Sequence, residues 1–212
     1  GAEVLGLDLA QPLSDADFDR ILRAHWEHVV LVFRNQRITP AQQVAFSRRF
    51  GPLQIHVQRK FALQGHPEVL VVSNIRDENG EPTGLGDAGS LWHSDLSYKD
   101  KPSLGSLPEA TQQRIAHLRA EHSYLARYEE LRQRNPWRPR LTPAQIAEVA
   151  PAVHPVVRTH PATGRKALFV SEHFTTRILD LPEEESRALL QELFAASVRP
   201  EFVYRHQWQP HD

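Results

Sequence analysis

Read for pattern alone, the chain predicts an α/β domain with a doubly wound sheet. Helix-period and strand-period segments alternate along it, no internal repeat appears, and its size suits one core. With 212 residues and 40% hydrophobic content, it has the length of one domain with a substantial interior. Ser14 is placed to cap a helix whose apolar positions Phe18, Ile21, Leu22 and Trp26 follow helical spacing. A strand is expected over Val29–Phe33. Thr39, with Pro40 next and Gln42 three residues on, signals a capping-box helix start, and Gly51 stands where that helix ends. Val69–Ser73 reads as a second strand. Asn79-Gly80, Pro82, Gly84, Gly86 and Gly89 mark 74–90 as a long loop of the kind that serves as a lid.

In the second half, helices are expected near Pro108–His122, Pro143–Val149 and Pro182–Ser197, each with a proline at or near its first turn. Val153–Thr159 and Lys166–Val170 flank His160-Pro161-Ala162-Thr163-Gly164-Arg165 as a strand pair joined by a turn. Phe202, Tyr204, His206 and Trp208 alternate as a closing strand. The basic run from Arg132 to Arg140, with Trp137 inside it, has the composition of a phosphate site with a stacking ring. It is read instead as a proline-stiffened surface linker, because the formal net charge is only -1 and the rest of the chain carries no basic excess.

Composition excludes more than it identifies. The charge balance argues against nucleic acid as the main partner. Zero Cys removes disulfides, thiolate nucleophiles and cysteine-bound zinc or iron-sulfur centres. The chain has neither a secretory apolar region nor an 18-residue apolar run, which leads to the expectation of a cytoplasmic protein that engages no membrane. Zero Met, initiator included, reads as a processed or partial chain.

The most informative segment is Leu91-Trp92-His93-Ser94-Asp95-Leu96-Ser97-Tyr98. On a strand, residues two apart share a face, so His93 and Asp95 would present an imidazole and a carboxylate to one metal ion. That is two-thirds of the 2-His-1-carboxylate triad that holds non-haem Fe(II). The spacing is a weak signal by itself, since with 12 His in the chain chance supplies on the order of half such a match.

The flanks strengthen it. Trp92-His93-Ser94-Asp95-Leu96-Ser97-Tyr98 resembles the WH-S/T-D-x-S/T-F/Y segment of the taurine dioxygenase family. These are Fe(II)/2-oxoglutarate-dependent oxygenases that include 2,4-D dioxygenase-like and alkylsulfatase members. Collinear similarity covers most of the chain. It includes Gly6-Leu7-Asp8-Leu9, Val29–Gln36, Ile38-Thr39-Pro40, Phe46–Leu53, His154–Pro161, Thr163–Val170 and Phe174–Ile178. The resemblance replaces the doubly wound sheet with a mainly β fold and flanking helices: a double-stranded β-helix, the jelly-roll or cupin-like barrel, with the metal at its mouth. It implies one oxygenase domain over 1–212, with Fe(II) as metal, 2-oxoglutarate and O2 as co-substrates, His93 and Asp95 as metal ligands, and a homodimer or homotetramer.

The family pattern also carries a Gly-Gly-Asp-Thr segment, a distal His and a 2-oxoglutarate-binding Arg. None is present here: Ser106 runs directly into Leu107-Pro108-Glu109-Ala110, and Trp208-Gln209-Pro210-His211-Asp212 matches only a turn that precedes the distal His. Further segments are therefore expected between 106 and 107 and after 212. His56 matches the position from which the taurine enzymes address a sulfonate, and Phe174 aligns with a segment at the substrate pocket; the plain alternatives are a surface loop His and core packing. His154, His160, His173 and His206 are taken as structural. Gly89 stands where the taurine enzymes place an Asn, which removes one polar substrate contact.

The implied reaction is hydroxylation of a small organic anion such as taurine or another sulfonate, with release of sulfite, succinate and CO2, as part of sulfur metabolism. An alkylsulfatase, an aryloxyalkanoate dioxygenase, a zinc hydrolase, a non-catalytic cupin-like metal-binding module and a structural barrel are the alternatives. Turnover without O2 would mark the hydrolase.

Overall fold

The computed structural model describes residues 1–89, 92–93 and 115–212. They fall into two compact units: Gly1–Ala88 with Tyr204–Asp212, and Gly89–Val203.

The first unit begins with a parallel pair. β1 (Ala2–Val4) lies beside β2 (Leu31–Phe33), and α1 (Asp15–His28) connects them. α1 forms as expected. Ser14 accepts the Asp17 amide, Asp15 and Asp17 sit at the positive end of the helix dipole, and Phe18 and Ile21 are buried. The strand expected from Val29 starts two residues late, because Val29 ends the helix at φ 67° with its amide on the His25 carbonyl. α2 (Pro40–Arg48) opens on the expected capping box between Thr39 and Gln42. Phe46 from α2 meets Phe33 and Phe50 edge to face at 5.6 and 5.4 Å, and Phe50 meets Phe18 at 4.9 Å. These contacts join both helices to β2 through an aromatic cluster.

β3 (Ala62–Leu63) and β4 (His66–Leu70) then form a bulged hairpin, so the second strand lies mostly before the expected 69–73. The loop that follows is tied back by the Leu85 amide on the Val71 carbonyl and the Thr83 amide on that of Ile75. At Gly84 a Cβ would stand 2.8 Å from both the Ser73 nitrogen and the Val71 oxygen, so only glycine fits that approach. The end of the chain does not form the expected closing strand. Tyr204 and Asp212 both bond the His206 ring, at 2.9 and 3.0 Å, and Arg34 donates to Asp212 at 2.6 Å. This network holds the segment as irregular backbone, so alternation here reflects side-chain pairing and not a ladder.

In the second unit, β5 (Arg119–His122) lies between β6 (Ala152–Pro155) and β9 (Thr175–Ile178), antiparallel to both. β7 (Val157–Thr159) and β8 (Lys166–Leu168) form the expected hairpin, closed by the His160 amide on the Arg165 carbonyl with Gly164 at φ 69°. The expected helix over Pro108–His122 is wrong at its end, since Arg119–His122 is the central strand; 108–114 lie outside the described residues. The proline signal was local, whereas pairing with two neighbours decided the state of 119–122.

α3 (Tyr124–Arg134) follows at once, capped by Ser123. It was not expected, and Arg132 and Arg134 belong to its last turn instead of a solvated linker. Arg138 too is buried, 5% exposed against the Tyr128 ring, so the linker reading of this stretch is corrected. α4 (Pro143–Glu148) and α5 (Glu183–Ser197) match expectation within a residue or two.

α5 packs on β9 and buries Leu189, Leu190 and Leu193 against Ile115, Ala120 and Ile178. Leu193 is fully buried, so Leu193→Ala is expected to cost 2–5 kcal/mol, about the range for truncating a core leucine. The check is a lower urea midpoint with an unchanged denaturant slope.

Candidate metal centre and substrate wall

The registers of β5, β6 and β9 place Ala120, His154 and Ile178 abreast, with His122 and Thr175 abreast one step further along the same face. The row of His122 and Thr175 is the polar end of that face, and His154 is a buried polar residue in the row of Ala120 and Ile178. At the polar end the Ser171 amide donates to Thr175 Oγ1 at 2.8 Å, which frees the Thr175 hydroxyl proton for His122 Nδ1 at 3.3 Å. On that assignment the His122 proton sits on Nε2.

The His122 ring is fully buried, against Phe169 and His154 with centroids 5.3 and 5.4 Å away. Burial pushes its pKa down to about 4, with the charges of His154 and Arg158 acting the same way and the Phe169 carbonyl opposing. This site was not anticipated from sequence, where nothing distinguishes His122 from the other 11 histidines of the 12.

Beside this polar end, a tight turn delivers the candidate site. The Phe174 and Thr175 amides both donate to the Ser171 carbonyl, and the Phe174 carbonyl accepts the Ser123 amide at 2.8 Å. Phe174 is thereby buried and stacked on Tyr124 at 6.2 Å. His93 stands against this turn. Its ring lies 5.3 Å from that of His173 and 6.0 Å, edge to face, from Phe174, while His173 and Phe174 touch at 4.4 Å.

Two of the sequence-nominated residues, His93 and Phe174, thus come together. His173, set down as structural, joins them; the turn lets two consecutive side chains reach one place, which strand or helix periodicity does not signal. On α3, the Glu130 carboxyl is held below the usual range, chiefly by Arg127, with Arg134 and His173 contributing. Asp95, the other proposed ligand, lies outside the described residues, as does 94–98. His56 belongs to the first unit, partly buried, with Nδ1 accepting the Gln58 amide at 3.1 Å. His160 caps its own turn by accepting the Ala162 and Thr163 amides. His206 sits in the Tyr204 and Asp212 network. Among the described residues no three His, Cys, Asp or Glu side chains form a metal-sized group, and no helix is long and apolar enough to cross a membrane.

Comparison with known proteins identifies the chain as an iron- and 2-oxoglutarate-dependent dioxygenase. The profile of the taurine catabolism dioxygenase TauD, TfdA family matches residues 1–107 and 103–212, so the chain belongs to this family and has its double-stranded β-helix fold. It is 33% identical to pentalenolactone F synthase of Streptomyces avermitilis over 253 residues, which covers 100% of this chain and 81% of the relative. To the alpha-ketoglutarate-dependent 2,4-dichlorophenoxyacetate dioxygenase of Cupriavidus pinatubonensis it is 33% identical, covering 100% and 83%. Among solved structures, AAD-2 in complex with Mn(II) and N-oxalylglycine matches with a TM-score of 0.73 at 28% identity, over 98% of this chain and 82% of that one.

The His122 environment has a pH consequence. The folded state keeps the ring neutral down to about 4, while the unfolded chain takes up a proton near 6.5. Between those values the unfolded state holds more protons, so stability falls as pH drops from 6.5 to 4, by about 3 kcal/mol at most. Urea midpoints at pH 7 and pH 4.5 are expected to differ in this direction, and the difference is expected to shrink in His122→Phe.

Proposed function

We propose that this chain uses Fe(II), 2-oxoglutarate and O2 to hydroxylate a small organic anion with an apolar body, of the aryloxyalkanoate kind in preference to taurine. The observation that carries this reading is the placement of His93 against His173 and Phe174, which puts an imidazole and a buried aromatic wall beside the proposed metal ligand. Identities to the curated relatives support it, while a taurine dioxygenase structure from Burkholderia xenovorans is 30% identical. The 2,4-D enzyme is 33% identical, whereas the sulfonate dioxygenase of Saccharomyces cerevisiae and the alkylsulfatase of Acinetobacter baylyi are 27% and 28% identical. Gly89 in place of an Asn removes a polar contact that suits a sulfonate or amine.

His93 and Asp95 supply an imidazole and a carboxylate, a donor pair that suits Fe(II). The bound iron would activate O2 with 2-oxoglutarate, giving succinate and CO2 as a substrate C–H bond becomes C–OH. The chain's own residues do the remaining work. His173 donates a hydrogen bond to the substrate's anionic group and sets which carbon faces the metal. Phe174, stacked on Tyr124, seals that side against water. Where the hydroxylated carbon carries an ether oxygen, the product separates into an alcohol or phenol and a carbonyl compound.

The whole of 1–212 is read as one oxygenase domain that lacks segments its relatives carry. In support, the family matches meet at 103–107, and the alignment to pentalenolactone F synthase runs to 253 positions against the 212 residues here. The third metal ligand and the 2-oxoglutarate-binding Arg are not assigned to any residue of 1–212.

Anaerobic titration of the full-length protein with Fe(II) and 2-oxoglutarate is expected to produce a weak visible charge-transfer band. Asp95→Ala is expected to abolish it together with succinate formation; succinate still formed stoichiometrically in that variant would overturn the ligand assignment. On admitting O2, an aryloxyalkanoate is expected to give more succinate than taurine or an alkyl sulfate, and the opposite ranking would restore the sulfonate reading. His173→Gln is expected to raise KM for the anionic substrate about 10- to 100-fold with a smaller change in kcat, the scale of one charge-assisted hydrogen bond.

A further inference from the structure

Within the first unit, the segment Tyr204–Asp212 carries a hydrogen-bonded series that does more than hold the backbone in place. The Tyr204 hydroxyl lies 2.9 Å from His206 Nδ1, and His206 Nε2 lies 3.0 Å from Asp212 Oδ2. Arg34 Nη1 and the Gln209 amide donate to the same Asp212 oxygen at 2.6 and 3.0 Å, which fixes the carboxylate against the ring. The Asp212 and His206 side chains are 3% and 14% exposed, whereas Tyr204 is 54% exposed. The series therefore runs from a covered carboxylate, through a nearly covered imidazole, to a phenol in solvent.

The carboxylate sets the direction of the bonds. Ionised Asp212 only accepts, so in the neutral ring Nε2 carries the proton and Nδ1 keeps its lone pair. The Tyr204 O–H is then the donor to Nδ1. Carboxylate, imidazole and hydroxyl stand in the order in which an imidazole takes up a proton as the hydroxyl oxygen attacks.

Solvation does not demand this arrangement, because an exposed phenol is served by water and only a buried hydroxyl needs a protein partner. The other tyrosines of the four in the chain differ from Tyr204. Tyr124 and Tyr128 are buried, Tyr128 donates to the Pro139 carbonyl, which is no base, and Tyr98 lies outside the described residues. The surface around Tyr204 is apolar. Trp208, 79% exposed, meets the His206 ring edge to face at 4.6 Å, and a Cβ at Gly1 would stand 3.4 Å from that of Val30 and 3.7 Å from the Tyr204 ring.

We propose that Tyr204 is an acyl-accepting nucleophile, with His206 as its base and Asp212 orienting the imidazole, and that its donors are small esters with an apolar or aromatic body. The phenolic oxygen attacks the ester carbonyl carbon as its proton passes to His206 Nδ1. The bond from that carbon to the leaving oxygen then breaks, and His206 returns the proton to the departing alcohol or phenol. One C–O bond forms and one breaks with no change of oxidation state, and an acyl ester remains on Tyr204. Asp212 supports the imidazolium between the two proton transfers. The exposed Trp208 and Val30 side chains offer the apolar contact for the donor's body. No residue of the series belongs to the proposed metal centre or substrate wall, so the proposal stands apart from the dioxygenase reading.

The test is incubation of the full-length protein with para-nitrophenyl acetate, following nitrophenolate release and mapping acetyl groups by peptide mass. Acetyl on Tyr204 is expected to form ahead of acetyl on any other tyrosine, at a rate that levels off once the imidazole is neutral instead of climbing until the phenol ionises. In His206→Gly the rate at Tyr204 is expected to fall about 100-fold, the lower end of what a positioned general base contributes, and added imidazole is expected to restore part of it. Tyr204→Phe is expected to lose the fast phase of nitrophenolate release while keeping its unfolding midpoint and its turnover of 2-oxoglutarate. Equal acetylation of Tyr204 in the parent and in His206→Gly would overturn the proposal. A loss that imidazole does not restore would overturn it too, because that result assigns the ring a structural role alone.

Discussion

The hydrogen bond from the Ser123 amide to the Phe174 carbonyl is the constraint on which the second unit depends. It lies where β5 gives way to α3 and where the Ser171–Phe174 turn enters β9. It therefore fixes the end of a strand, the start of a helix and the orientation of two consecutive aromatic residues together. Ser123 uses its amide for this bond and its hydroxyl for the Ala126 amide at the helix cap, so one residue satisfies two donors that burial would otherwise leave costly. From this point Phe174 is directed at Tyr124, and His173 is held beside His93.

The same junction explains why polar side chains stand in the core. A sheet face whose one row holds Ala120, His154 and Ile178 and whose next row holds His122 and Thr175 divides its surface between dispersion packing and hydrogen bonding. The Ser171 amide, Thr175 hydroxyl and His122 ring form a chain in which each donor has a defined acceptor as far as Nδ1. The cost of keeping a buried imidazole there is its neutrality, and that cost falls on acid stability. Chemistry and folding thus share one turn: the elements that hold the candidate wall are also those that hold the polar end of the core.

The first unit is organised by different means. Its elements are joined by edge-to-face phenylalanines and by two local caps, and the Tyr204, His206, Asp212 and Arg34 network holds the end of the chain to β2's neighbour residue. The Asp212 carboxylate accepts from Arg34, His206 and the Gln209 amide together, so three partners from two stretches of chain share one acceptor.

Local signals were legible in the sequence wherever their cause is local. The Ser14 cap, both capping boxes at Thr39 and Thr142, the Gly164 turn and the helix of Glu183–Ser197 depend on side chains within a few residues of one another. The His93 and Asp95 spacing and the collinear likeness around it identified the family for the same reason, as motifs carried in one stretch of chain. What sequence could not give was decided by partners distant along it. Arg119–His122 became a strand because β6 and β9 flank it. Tyr204–Trp208 stayed irregular because Asp212 and Arg34 hold it, and Arg138 left the solvent because Tyr128 offers a ring face. His173 reached the candidate site because a turn tied to Ser123 puts it there. Local geometry is written in residue order, whereas burial, pairing and the meeting of His93, His173 and Phe174 exist only once the chain has closed on itself.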